Sequence, residues 1–192
     1  RSSATSDVYK RQIKERYESE DSDIENASLD ITPTLNGNFA VIEAAVANDQ
    51  PSSLCSLSVV IVRDGNVVKK YHRFVKPAPL CFDERYMKMN GFTEKEVIDA
   101  PVFPDVWREI ENDISGLPLV GYNSCFVETH LHAAFIAYDM EWQGLKFHDA
   151  LKASRHLYDK ELSTKRLQTV AGAFGTSVTK ETVSYTHLRA HE

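Results

Sequence analysis

The chain has 192 residues, 42% of them hydrophobic and 26% charged, which suits one globular domain with a sizeable core. No apolar run approaches the roughly 20 residues of a membrane-spanning helix, and the N-terminus lacks a charged-then-apolar signal pattern. A formal net charge of −6 excludes a global positive field that would gather polyanions, so any nucleic-acid contact has to be local.

In chain order, Arg1–Gln12 (RSSATSDVYKRQ) resembles translated adaptor sequence and is set aside from fold reasoning, as is Val183–Glu192 (VSYTHLRAHE) at the other end. Ile13–Asn38 is rich in Glu and Asp and poor in large apolar side chains. Its composition predicts a disordered acidic leader over residues 1–38, with at most a short helix at Ile13–Glu20. The folded domain is expected over 39–182. It opens with Phe39–Ala47, a continuous apolar run suited to a strand buried on both faces. Cys55–Arg63 and Val67–Val75 are β-branched and partly alternating, with Asp64-Gly65-Asn66 between them as a hairpin signal.

Thr93 and Glu96 have capping-box spacing before a short helix, and Pro101–Asp113 reads as another helix. Leu117–Tyr122 is a short apolar strand. Cys125–Met140 places Phe126, Leu131, Ala134, Phe135 and Tyr138 near one helical face. Phe147 belongs to a very short strand. Asp149–Tyr158 and Ser163–Phe174 are helices, the second ending at Gly175. This order predicts an α/β fold whose mixed sheet is an antiparallel meander with parallel strands added by crossovers. The cysteines Cys55, Cys81 and Cys125 form no CxxC pair and read as buried reduced thiols of a cytoplasmic protein.

Seven blocks carry a family resemblance: Phe39–Arg63, His72–Pro77 (HRFVKP), Asn90–Thr93 (NGFT), Ala100–Trp107 (APVFPDVW), Leu117–Phe126 (LPLVGYNSCF), Asp149–Tyr158 and Arg166–Gly175. In this order they resemble DEDD-type 3′–5′ exonuclease domains related to the epsilon proofreading subunit of bacterial DNA polymerase III. The resemblance implies an RNase H-like fold. It also implies a two-metal reaction in which Mg²⁺ or Mn²⁺ clamps the attacking water and the leaving 3′ oxygen. Such hard cations take oxygen ligands, which four carboxylates supply in that family. The first two are an i, i+2 pair on a strand and therefore share a face. The third closes an N-x-x-F-D pattern at a helix start, and the fourth follows a histidine base on a final helix.

On that pattern the first aspartate falls on Glu43, a carboxylate one methylene longer, which leaves at most a weak metal ligand and a residual catalytic group. The second falls on Ala45 and the third on Val127, two lost ligand positions. Asn123 and Phe126 keep the frame of the third motif. Residues 176–182 offer neither the histidine nor the fourth carboxylate, so the final helix is expected to be absent. Altered groups around a metal already cost ~10–100-fold, so three missing ligands should remove most of a ~10⁶-fold enhancement. Glu128 adjoins Val127 but is expected to point about 100° away around the helix.

The expected function is a degenerate exonuclease-like domain that turns over little or not at all. Weak affinity for single-stranded DNA or RNA 3′ ends is expected through Asn48, Asn90, Phe92, Asn123 and Phe126. Two alternatives stay open: residual metal-dependent activity in a fuller native chain, and a non-catalytic protein-interaction module favoured by the acidic charge. His130 and His132 read as surface or partly buried residues, and His148 as a strand-end histidine before a helix capped by Asp149. Trp107 and Trp142 read as core or rim. Lys69, Lys70, His72 and Arg73 read as a solvated basic strand face.

Overall fold

The computed structural model describes residues 11, 15, 36–157, 162, 164 and 166–175. Five strands, β1 (Phe39–Val46), β2 (Leu54–Arg63), β3 (Asn66–Phe74), β4 (Leu119–Gly121) and β5 (Phe147–Asp149), form one sheet in the order β3-β2-β1-β4-β5. β1, β2 and β3 pair antiparallel, whereas β4 pairs parallel to β1 and β5 parallel to β4. This is the meander-plus-crossover sheet expected from the element order. The hairpin joining β2 to β3 turns on Asp64 and Gly65, with φ of 49° and 76°, while Arg63 faces Asn66. A two-residue loop with two left-handed residues matches the twist of its strands, which is why Asp-Gly suits it.

Six helices are described: α1 (Glu84–Asn90), α2 (Glu94–Ile98), α3 (Phe103–Ile114), α4 (Ser124–Ala137), α5 (Ala150–Leu157) and α6 (Leu167–Ala173). The Thr93–Glu96 capping box forms, with Thr93 donating its backbone N–H to Glu96 Oε2 at 2.8 Å. Helix α1 escaped the sequence reading. Its marks are local: Asp83 Oδ1 accepts from Arg85 N at 2.8 Å, and Gly91 ends it in the left-handed region at φ 74°. Gly175, expected to end the last helix, has φ 70° just beyond it.

The two faces of β1 differ, which corrects the expectation of a strand buried on both. Ala40, Ile42 and Ala44 lie in the main core with Leu57 and Val59 of β2, Trp107 and Ile110 of α3, and Leu131 and Phe135 of α4. Trp107 is fully buried there, while Trp142 is partly buried against the same core. On the other face Val41 is 39% exposed and Glu43 is half-buried. Among the described residues, only the far end of that face is sealed, by a second cluster in which Ala45, Ala47 and Cys55 meet Met87 of α1 and Val97 of α2.

The cysteines also differ from expectation: all three are free thiols, but only Cys55 is buried, Cys125 is half-buried and Cys81 exposed. Cys81 lies in an irregular segment that carries no burial signal in sequence. The disordered leader falls outside the described residues except at Arg11, Glu15 and 36–38, and the expected loss of a final helix after Gly175 falls outside them entirely.

Candidate functional site

Because β1, β4 and β5 run parallel, their carboxyl ends meet at one end of the sheet, the usual place for a site in an open α/β sheet. Glu43 sits near the end of β1, opposite Ser58 of β2, which in turn pairs with His72 of β3. The three side chains form a polar row across one face, and Ser58 Oγ lies 2.9 Å from His72 Nδ1. Partial burial, and then neighbouring Arg73, hold the His72 imidazole below its ordinary pKa. The next row is Ala45, Ser56 and Phe74; Ser56 is fully buried.

The two positions expected to lack a ligand lie in apolar surroundings. Ala45 is 0% exposed in the second cluster and Val127 is 1% exposed in the main core. Glu128, expected to face about 100° away from Val127 around the helix, is also buried, at 2% exposure. Among the described residues no group of three or more His, Cys, Asp or Glu is placed to hold a metal ion. A two-metal centre needs several oxygen donors around each ion. One glutamate beside an alanine and a valine does not supply that set, so the described residues do not fit the pair of ions.

Of the five residues expected to bind, two are committed to the fold. Asn48 is buried, donates Nδ2 to Cys81 O at 2.6 Å and accepts from Gln50 N at 2.8 Å, which shapes the loop between β1 and β2. Asn90 is 0% exposed, and its Nδ2 donates to Val46 O at 2.9 Å. There the β1–β2 register slips: Ala45 faces Ser56 but Val46 faces Leu54, leaving Cys55 as the extra residue of a bulge. Asn90 thus ties α1 to the irregular end of β1. Burial pushes the Cys55 thiol up to about 12, so it stays protonated beside Asn90. Phe92 is half-buried, with its ring 5.0 Å from Phe74 and 6.4 Å from His72.

Asn123 and Phe126 remain at the mouth. Asn123 precedes α4 in the left-handed region (φ 66°, ψ 59°), and Phe126 packs its ring 4.2 Å from His130. His130 Nδ1 lies 2.7 Å from Pro51 O, joining α4 to the loop after β1. Asn123 and Phe126 open α4, with Phe126 packed against the main core, while Glu43 and Phe92 belong to the other face, Phe92 lying beside His72. His132 turns the other way, buried with its ring 4.8 Å from Trp142, and burial lowers its pKa to about 4.

Asp149 caps α5 as expected, accepting from Leu151 N at 2.8 Å. Sequence reasoning missed its bonds to Asn123 and Ser124, because no local pattern links residues 26 and 25 apart. On β3, Lys69 and Arg73 turn to α3, pairing with Asp113 at 2.5 Å and Glu109 at 2.8 Å, while Lys70 and His72 take the opposite face. The basic strand is therefore half consumed by ion pairs at the sheet edge.

Comparison with known proteins agrees with this geometry. The chain is 27% identical over 147 residues to DNA polymerase III PolC-type of Caldanaerobacter subterraneus subsp. tengcongensis, covering 73% of this chain but only 10% of that protein's length. The nuclease domain of 3'hExo, a DEDDh family member solved with rAMP, superposes with a TM-score of 0.65 at 15% identity, over 82% of this chain and 87% of that one. Exonuclease X, solved with 5' overhanging duplex DNA, gives 0.59 at 16% identity over 78% and 85% of the two chains. The zinc-bound complex of E. coli exonuclease I with single-stranded DNA gives 0.64 at 15% identity over 81% and 39%. These likenesses establish the RNase H-like fold that the mixed sheet suggested. A family model described as Exonuclease matches residues 23–187, most of the sequence; this chain belongs to the Exonuclease family.

Proposed function

We propose that this chain is an exonuclease-fold domain that recognises single-stranded 3′ ends weakly and hydrolyses them little or not at all. One observation carries the reading: the positions of the second and third carboxylates, Ala45 and Val127, are 0% and 1% exposed and packed in apolar clusters. A ligand lost at a solvent-lined position can be replaced by water; a buried methyl group offers a hard cation nothing. The rim keeps groups suited to nucleic acid, with Asn123, Phe126 and Phe92 for sugar edges and base stacking. Relatives solved with a nucleotide or single-stranded DNA support that part.

The test is incubation of a 5′-labelled single strand with the protein in Mn²⁺, beside a chelator control and Glu43→Ala. No shortening above the chelator control is expected. Metal-dependent shortening that disappears in Glu43→Ala would overturn the reading and favour residual catalysis with ligands from elsewhere in a fuller chain. Fluorescence anisotropy at low salt should show weak binding whose affinity falls with salt. Absence of binding would instead favour a protein-interaction module, the reading to which the net charge of −6 lends weight.

A further inference from the structure

We infer that Asp149 is a positioning residue of this site: its carboxylate fixes how the Asn123 turn and the first turn of α4 are presented to a nucleic-acid 3′ end. The inference rests on the binding reading above.

Four backbone N–H groups converge on this carboxylate. Oδ2 accepts from Ser124 N at 2.9 Å, while Oδ1 accepts from Asn123 N at 3.2 Å, Leu151 N at 2.8 Å and Lys152 N at 3.3 Å. Ordinarily an N-cap side chain serves its own helix, as Asp149 does for α5. At α4 the N-cap residue is Asn123, whose side chain makes no capping bond. The cap comes instead from the end of β5, 25 residues away from Ser124. Two helix N-termini, each carrying partial positive charge, therefore share one anion.

The consequence reaches the rim. Asn123 holds a left-handed backbone, which costs a non-glycine residue roughly 1 kcal/mol or more unless its surroundings fix it. The Asp149 bonds to Asn123 and Ser124 supply that constraint. Phe126 follows within the same turn, its ring tilted at 56° against His130, which reaches Pro51 of the loop after β1. The direction in which α4 leaves β4 thus sets the spacing between Phe126 and that loop.

Asp149→Asn isolates the Ser124 bond: the remaining oxygen can keep facing Asn123, Leu151 and Lys152, whereas an NH₂ group would meet the Ser124 N–H. Amide hydrogen exchange and anisotropy with a labelled single strand at low salt read the outcome. Expected are exchange at Ser124 faster by about tenfold, near-parental exchange at Leu151 and Lys152, and strand affinity lower by about tenfold. Asp113→Ala, at the far sheet edge, serves as a stability control that leaves both readouts at the parental level. Should Asp149→Asn not fold, Asp149→Ser, whose hydroxyl can still cap α5, gives the same measurements.

Unchanged Ser124 exchange would overturn the clamp. Accelerated exchange with undiminished affinity, or equal weakening in Asp113→Ala, would overturn the positioning role and leave the binding reading standing. A parent chain that binds no strand would overturn the binding reading, and the positioning role with it, even if the exchange pattern appeared.

Discussion

The two faces of β1 are built on different terms. Toward α3 and α4, Ala40, Ile42 and Ala44 enter one continuous apolar cluster. There even the Tyr71 hydroxyl finds partners, donating to Glu109 O at 3.1 Å and to Asp113 Oδ2. On the opposite face Glu43, Ser58 and His72 stand in a polar row, and only the end beyond Ala45 is sealed by the smaller cluster. The first face carries stability through burial, which is insensitive to detail so long as volume and polarity are kept. The second depends on single hydrogen bonds at a strand bulge and on particular polar side chains. Polar groups on the second face can therefore change while the first still specifies the fold.

The largest effect should come from returning a carboxylate to the wrong one of these environments. Val127 is 1% exposed within the main core, so Val127→Asp either buries a charge or forces the group to stay protonated. We expect a loss of about 3 kcal/mol or more in urea unfolding, with no recovery on adding Mn²⁺. A loss under about 1 kcal/mol would mean that this position opens onto the site more than its packing indicates.

That contrast also explains what could be read in advance. Partial alternation found β2 and β3 within a residue of their ends, and the 3.6-residue period found α4, because burial of one face imposes those periods. The same patterning misled at β1. Its run of Ala and Val reads as buried on both sides, yet Val41 is exposed and Glu43 marks a second face. The candidate site was read only through the resemblance, which sets Ala45 and Val127 where that family is expected to carry carboxylates. Less legible was the use of amides: Asn48 and Asn90 look alike in sequence to ligand-facing residues, and only their burial shows them holding backbone. The Asp149 clamp, joining residues 25 apart, has no local signal at all.

A smaller effect probes the second face. Asn90 donates to Val46 O at 2.9 Å, while its Oδ1 is buried without a partner. Asn90→Ala should therefore cost about 1–2 kcal/mol, since loss of the donor is partly offset by removal of an unsatisfied acceptor. Asn90→Asp should cost more, because it sets an acceptor against the Val46 carbonyl. Thermal melts of the two variants give the ranking; the reverse order would show that the amide is oriented the other way.

The smallest effect concerns pH and returns to the core side, where α4 buries His132 against Trp142. Burial lowers this imidazole to about 4 from an ordinary 6.5, so the folded protein holds it neutral where the unfolded chain binds a proton. Between these two values the unfolded state carries more protons, and acidification favours it. The histidine's contribution is therefore present above about pH 6.5 and is lost as pH falls toward about 4. From pH 8 to pH 6 the loss should be about 0.8 kcal/mol, from the difference between the two proton-binding curves. His132→Phe keeps an aromatic ring beside Trp142 but cannot titrate. Urea unfolding at the two pH values should show the parent losing that much more stability than the variant. Equal losses would mean that His132 keeps its proton in the fold, through a neighbour that offsets its burial.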